Sequence, residues 1–138
     1  MMRFPLSIAL IVVACVATGC SQSKYDLVSV SGTVTMDGQP LEGASVKFQP
    51  QGGGIMSYGK TDAQGRYALQ TMADDPGAMV ATHAVSIYKS SGTVDLSTEE
   101  AQPAVKQLVP EKYNYKTTLS FQVSPGGTTR ADWSLESK

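Results

Sequence analysis

The stretch Val28-Ser29-Val30-Ser31-Gly32-Thr33-Val34-Thr35-Met36-Asp37-Gly38-Gln39-Pro40-Leu41-Glu42-Gly43-Ala44-Ser45-Val46-Lys47-Phe48 decides the fold. Before its centre Val28, Val30, Gly32 and Val34 share one face; after it Ala44, Val46 and Phe48 share another. This is period 2, the repeat of half-buried strands. Asp37-Gly38 supplies residues that tolerate positive φ, and Pro40 and Gly43 prolong the bend, so the stretch reads as a β-hairpin. A second turn, Asp62-Ala63-Gln64-Gly65, precedes Tyr67 and Leu69. There Asp62 is expected to bond its own backbone and Gly65 to take a left-handed conformation.

Farther on, Val85 and Ile87 alternate in register with His83, which places the single histidine on the core face of a strand. Leu119, Phe121 and Val123, then Ala131, Trp133 and Leu135 after the Ser124-Pro125-Gly126-Gly127 turn, read as a second hairpin. The apolar sets are expected to meet in one core, an all-β sandwich of about seven strands.

Ser31 to Phe48 and Thr61-Asp62-Ala63-Gln64-Gly65-Arg66-Tyr67-Ala68-Leu69 resemble the two opening motifs of a carboxypeptidase regulatory-like domain. His83 to Ile87 is similar to the strand that follows in that family. Val109-Pro110-Glu111-Lys112-Tyr113-Asn114, Thr118-Leu119 and Asp132-Trp133-Ser134-Leu135 resemble the ending of small envelope lipoproteins that carry the domain. The resemblance implies a transthyretin-like, seven-stranded sandwich of Ig-like or prealbumin type, and a mostly non-catalytic family; such motifs specify fold far better than activity.

Residues 1–19 read as a lipoprotein signal peptide. Arg3 gives the positive start, and the apolar run Leu6 to Ala17 is roughly a dozen residues, too short to span a membrane. Ala17-Thr18-Gly19-Cys20 resembles a lipobox, although Ala17 stands where leucine is commonest. Cys20 would then be the lipidated N-terminus, carrying acyl chains such as palmitate, with 20–26 as a tether reaching about 20 Å and 27–138 as the sandwich. Two or three acyl chains give stable anchoring. Cys15 leaves with the signal, so Cys20 has no disulfide partner and the fold must stand on its apolar core. These features predict a bacterial cell-envelope location, and Ser21 after the cysteine favours the outer over the inner membrane by resemblance.

Eleven Lys and Arg against twelve Asp and Glu leave a net charge of −1, and removing Arg3 makes it more negative. No nucleic-acid partner is expected from that balance. Gly54-Ile55-Met56-Ser57-Tyr58-Gly59-Lys60-Thr61 matches a phosphate-loop pattern letter for letter. It runs into a turn and a strand, however, where a phosphate loop needs a helix start. Asp62 to Gly65 and Asp74-Asp75 lack the spacing and terminal glutamate of a calcium loop. One histidine and no thiol in 27–138 leave zinc chemistry and Ser-His-Asp chemistry without parts. The expectation is therefore no catalytic residue, no metal and no cofactor.

Between Lys89 and Gln107 the period breaks down. Ser97-Thr98-Glu99-Glu100 fits a capping box that Pro103 would soon end, and Val94, Leu96, Val105 and Leu108 are expected to pin the loop to the sandwich. Long loops in compact domains are often functional. Two functional expectations follow. The first is a structural or protein-contact role, with an envelope protein as partner and the membrane engaged through Cys20. The alternative is a cell-surface carbohydrate-binding module with Lys112, Tyr113 and Tyr115 as its contacts, although the same tyrosines also suit packing at the sandwich edge.

Overall fold

The computed structural model describes residues 24–91 and 106–138. Residues 1–19, Cys20, and the Val94, Leu96, Ser97 to Glu100, Pro103 and Val105 positions lie outside the described residues. Within them the chain is all-β and sandwich-like, with one short 3-10 turn at Glu111–Tyr113.

Eleven short strands are present among the described residues: β1 (Leu27–Val28), β2 (Ser31–Met36), β3 (Gln39–Pro40), β4 (Ser45–Pro50), β5 (Ser57–Lys60), β6 (Arg66–Ala68), β7 (Gln70–Thr71), β8 (Ala78–Met79), β9 (Thr82–Tyr88), β10 (Ser120–Gln122) and β11 (Trp133–Leu135). One sheet runs β10-β9-β4-β5-β7. The other runs β11-β2-β3, with β6 also on β2, and β1 pairs separately with β8. β11 lies parallel to β2, whereas the other strand pairs are antiparallel.

The first expected hairpin is corrected by this topology. Asp37 (φ 52°) and Gly38 (φ 80°) do form a two-residue turn, but it joins β2 only to the two-residue β3. The chain then crosses the sandwich, and β4 takes its place in the opposite sheet. A buried hydroxyl holds the crossing: Thr61 Oγ1 donates to Leu41 O at 2.5 Å and accepts from Ala44 N–H at 2.8 Å. The second expected hairpin is corrected in the same way, because β10 pairs with β9 while β11 pairs with β2. In both cases consecutive strands face each other across the core instead of sharing a ladder. The strand after the Asp62 turn also changes sheet: β6 belongs with β2 and β7 with β5, and the switch falls at Leu69.

Facing sides supply the core. Val30, Val34, Ala44, Val46, Phe48, Tyr67, Leu69, Val85, Ile87, Val123, Ala131 and Leu135 are all buried, as the alternation predicts. Phe48 sits at the centre, its ring centroid 5.6 Å from that of His83, 5.8 Å from Phe121 and 6.4 Å from Trp133. It therefore ties the two sheets together. A second tie is polar. Tyr67 pairs with Gly32 on β2, and a Cβ on Gly32 would stand 2.0 Å from Ala131 O. The missing side chain leaves the Tyr67 hydroxyl room to donate to Ala131 O at 2.5 Å and accept from Trp133 Nε1 at 3.1 Å. Burial pushes the Tyr67 hydroxyl pKa up, so it remains a protonated donor.

Candidate functional site

The sheet β10-β9-β4-β5-β7 has an outward side whose composition follows from register. Ser45 stands opposite Lys60 on β5 and Tyr88 on β9, while Lys47 stands opposite Tyr58 and Ser86. Residues directly opposite share a face, so lysines and tyrosines that are far apart in sequence become neighbours. At one end of this face a hollow of about 500 Å³ is lined by Glu42, Ser45, Lys60, Tyr88, Lys89 and Ser90. The ion pairs among the described residues are Arg66–Asp62 and Lys116–Glu111, so Lys47, Lys60 and Lys89 have no ion-pair partner among the described residues.

Beside the hollow the ends of the 89–107 segment are clasped. Lys89 N–H donates to Gln107 Oε1 at 2.6 Å, Leu108 N–H to Lys89 O at 2.7 Å and Ser91 N–H to Lys106 O at 2.8 Å. Leu108 itself remains exposed. The clasp fixes Lys89 and Ser90 at the rim.

The three residues expected to contact a glycan are not held as one platform. Tyr113 packs against the core and its hydroxyl accepts from Glu136 N–H at 3.0 Å. Lys112 Nζ lies 5.0 Å from the Tyr113 ring centroid and donates to Lys138 O at 2.8 Å. Tyr115 is 73% exposed and meets Tyr88 edge-to-face, with centroids 5.6 Å apart. Buried Asn114 positions it: Nδ2 lies within 3.2 Å of Ile87 O, Val109 O and Pro110 O, while Oδ1 accepts from Tyr115 N–H at 2.8 Å. Tyr115 is thereby set against Tyr88, which lines the hollow, while Tyr113 and Lys112 bond Glu136 and Lys138 beyond β11.

Tyr88, Lys60 and Glu42 were missing from the expected contacts. For Tyr88 and Lys60 the signal was present as the polar phase of the same alternation that marks the core, whereas Glu42 lies in the turn before β4. Reading it required the β4–β5 and β4–β9 registers.

The remaining sequence candidates fall into structural places. His83 is fully buried; its Nε2–H donates to Met79 O at 2.8 Å, since a carbonyl can only accept, and Nδ1 is left an acceptor with no partner among the described residues. The phosphate-loop letters are carried by a loop and by β5, with Thr61 occupied at the crossing. Asp62 Oδ1 accepts from Gln64 N–H and Arg66 N–H, each at 2.9 Å, and Gly65 takes φ 74°. The Arg66 amide, chiefly, holds the Asp62 carboxyl below its ordinary pKa. Ser137 does the same for Asp37, joining the C-terminus to the first turn. Among the described residues no three His, Cys, Asp or Glu side chains converge in a group able to hold a metal ion. Comparison of the chain with protein-family models, curated proteins and solved structures finds no match in any of the three.

Proposed function

We propose that this chain is a non-catalytic lipoprotein of the bacterial cell envelope. It is held by lipid on Cys20, favours the outer membrane, and uses a carboxypeptidase regulatory-like sandwich of prealbumin type for protein contact. The observation that carries the contact role is the outer edge of β10, which no other described strand pairs. This strand ends its sheet, and its ladder bonds to β9 run through Leu119 and Val123. Antiparallel alternation then turns the backbone groups of Ser120 and Gln122 outward. Thr118, Ser120 and Gln122 are exposed and uncharged, without the lysine or proline that commonly guards an edge. Such an edge accepts an added strand from a partner. Half-buried Phe121 and Trp133, centroids 6.1 Å apart, line the adjoining seam between β10 and β11 and offer aromatic anchors.

The test is crosslinking in intact cells followed by affinity isolation and mass spectrometry. One recurrent envelope protein is expected, and Ser120→Pro should release it without unfolding the chain, because the outward N–H is dispensable to the fold. No recurrent protein across repeated isolations, or one retained by Ser120→Pro, would count against the edge contact. A second reading, a cell-surface carbohydrate-binding module, is favoured by the Tyr88–Tyr115 pair at the rim of the lysine-bordered hollow.

A further inference from the structure

We infer that the outward face of β4, β5 and β9 is a binding surface for an acidic polysaccharide, a linear glycan carrying carboxylates. The inference rests on the carbohydrate reading for ligand class and moves its site from Tyr113 to the hollow beside Tyr88. Charge comes first. Lys47, Lys60 and Lys89 stand on or beside this face with no ion-pair partner among the described residues, although the chain as a whole is slightly acidic. Among the described residues Glu42 is the single carboxylate lining the hollow. Complementarity therefore calls for an anionic occupant.

Surface chemistry narrows the class. The outward positions of β4 and of its two neighbours are Ser45, Lys47 and Gln49, then Tyr58 and Lys60, then Ser86 and Tyr88 among others. No Leu, Ile, Val, Met, Phe or Trp is among them, so the face lacks the apolar anchors that centre a protein interface. What it has is hydroxyls, amides and two aromatic rings, which suit a hydroxylated ligand with weakly apolar ring faces. Tyr58 and Tyr88 lie on strands flanking β4, so their backbones are about 10 Å apart across the sheet. An extended polymer crossing β4 would meet both rings and Lys47 between them. The hollow then receives one acidic residue, with Lys60 and Lys89 at its carboxylate.

The test is affinity electrophoresis of the full chain in detergent through gels containing alginate, a polymer of uronic acids. Parallel gels contain neutral dextran or poly-glutamate. Saturable retardation by alginate alone is expected, weakening as salt is raised. The Lys60→Gln/Lys89→Gln double variant should bind roughly tenfold more weakly, and Tyr88→Ala several-fold more weakly. Arg130→Gln, a charge change outside this sheet, should bind as wild type. Unchanged melting temperatures of the lysine variants exclude unfolding as the cause. Equal retardation by dextran would overturn the acidic preference while leaving the carbohydrate reading standing; no retardation by either glycan would remove both. Equal retardation by poly-glutamate, or alginate binding unaffected by the lysine pair, would overturn the proposed site.

Discussion

Replacing Phe48 by alanine should remove the main apolar tie between the two sheets. The side chain is fully buried and its ring meets His83 and Phe121 on its own sheet and Trp133 on the other. A Phe→Ala change at such a site costs about 3–5 kcal/mol, the transfer of the ring plus the cavity left behind. Against a domain stability of about 5–15 kcal/mol this is a large share. With a urea m-value of about 1–3 kcal/mol/M, the unfolding midpoint should fall by more than about 1 M. Trp133 is the single tryptophan, and its ring lies 6.4 Å from that of Phe48, so intrinsic fluorescence reports the lesion directly. Lys47, the preceding residue, points to the other side of the sheet. Lys47→Ala should stay within about 0.5 kcal/mol of wild type. A Phe48→Ala loss below about 1 kcal/mol, or an equal loss in Lys47→Ala, would refute the inward and outward assignment of β4.

Tyr67→Phe should cost about 1–3 kcal/mol by chemical denaturation, because it strands the Ala131 carbonyl and the Trp133 indole N–H. Since the folded hydroxyl pKa lies above its ordinary value of 10.0, Tyr67 contributes stability that is intact below about pH 10 and is lost as pH rises further; Tyr67→Phe should lack that alkaline slope. Gly65→Ala should destabilise more than Gly38→Ala in thermal melts: both residues have positive φ, but a Cβ at Gly65 would stand 2.4 Å from Val34 O, while at Gly38 it meets nothing. The depressed Asp62 carboxyl stabilises the fold above its ordinary value of 3.8, and that contribution fades as pH falls through the lower folded value. Acid titration of Asp62→Asn should therefore show a shallower loss of stability below about pH 4 than wild type.

The core was legible because burial and alternation are the same fact seen in two ways. Val30, Val34, Val46, Phe48, Val85 and Ile87 each occupy the inward phase that their spacing indicates. Strand pairing was not legible from that phase. An inward residue alternates identically whether the next strand lies beside it in the ladder or across the core, so β2 with β4, and β10 with β11, were read as hairpins. What separates the cases is local and polar: the Leu41 to Ala44 crossing closes on the Thr61 hydroxyl, seventeen residues beyond Ala44. The Tyr67 bridge to Ala131 spans 64 residues and depends on the space above Gly32, which no short-range pattern marks. The site was divided similarly. Tyr115 was named as a candidate contact, but its neighbour Tyr88 was not, because their contact requires Asn114 to bind β9 at Ile87 O.

The lipid-anchored envelope assignment is tested most directly by the mass of the chain recovered from bacterial membranes, with mapping of its N-terminal fragment. The account predicts a chain beginning at Cys20, with a diacylglyceryl thioether on that residue and the added mass absent from Cys20→Ala. A chain that retains residues 1–19, or begins elsewhere with an unmodified Cys20 thiol, would contradict it.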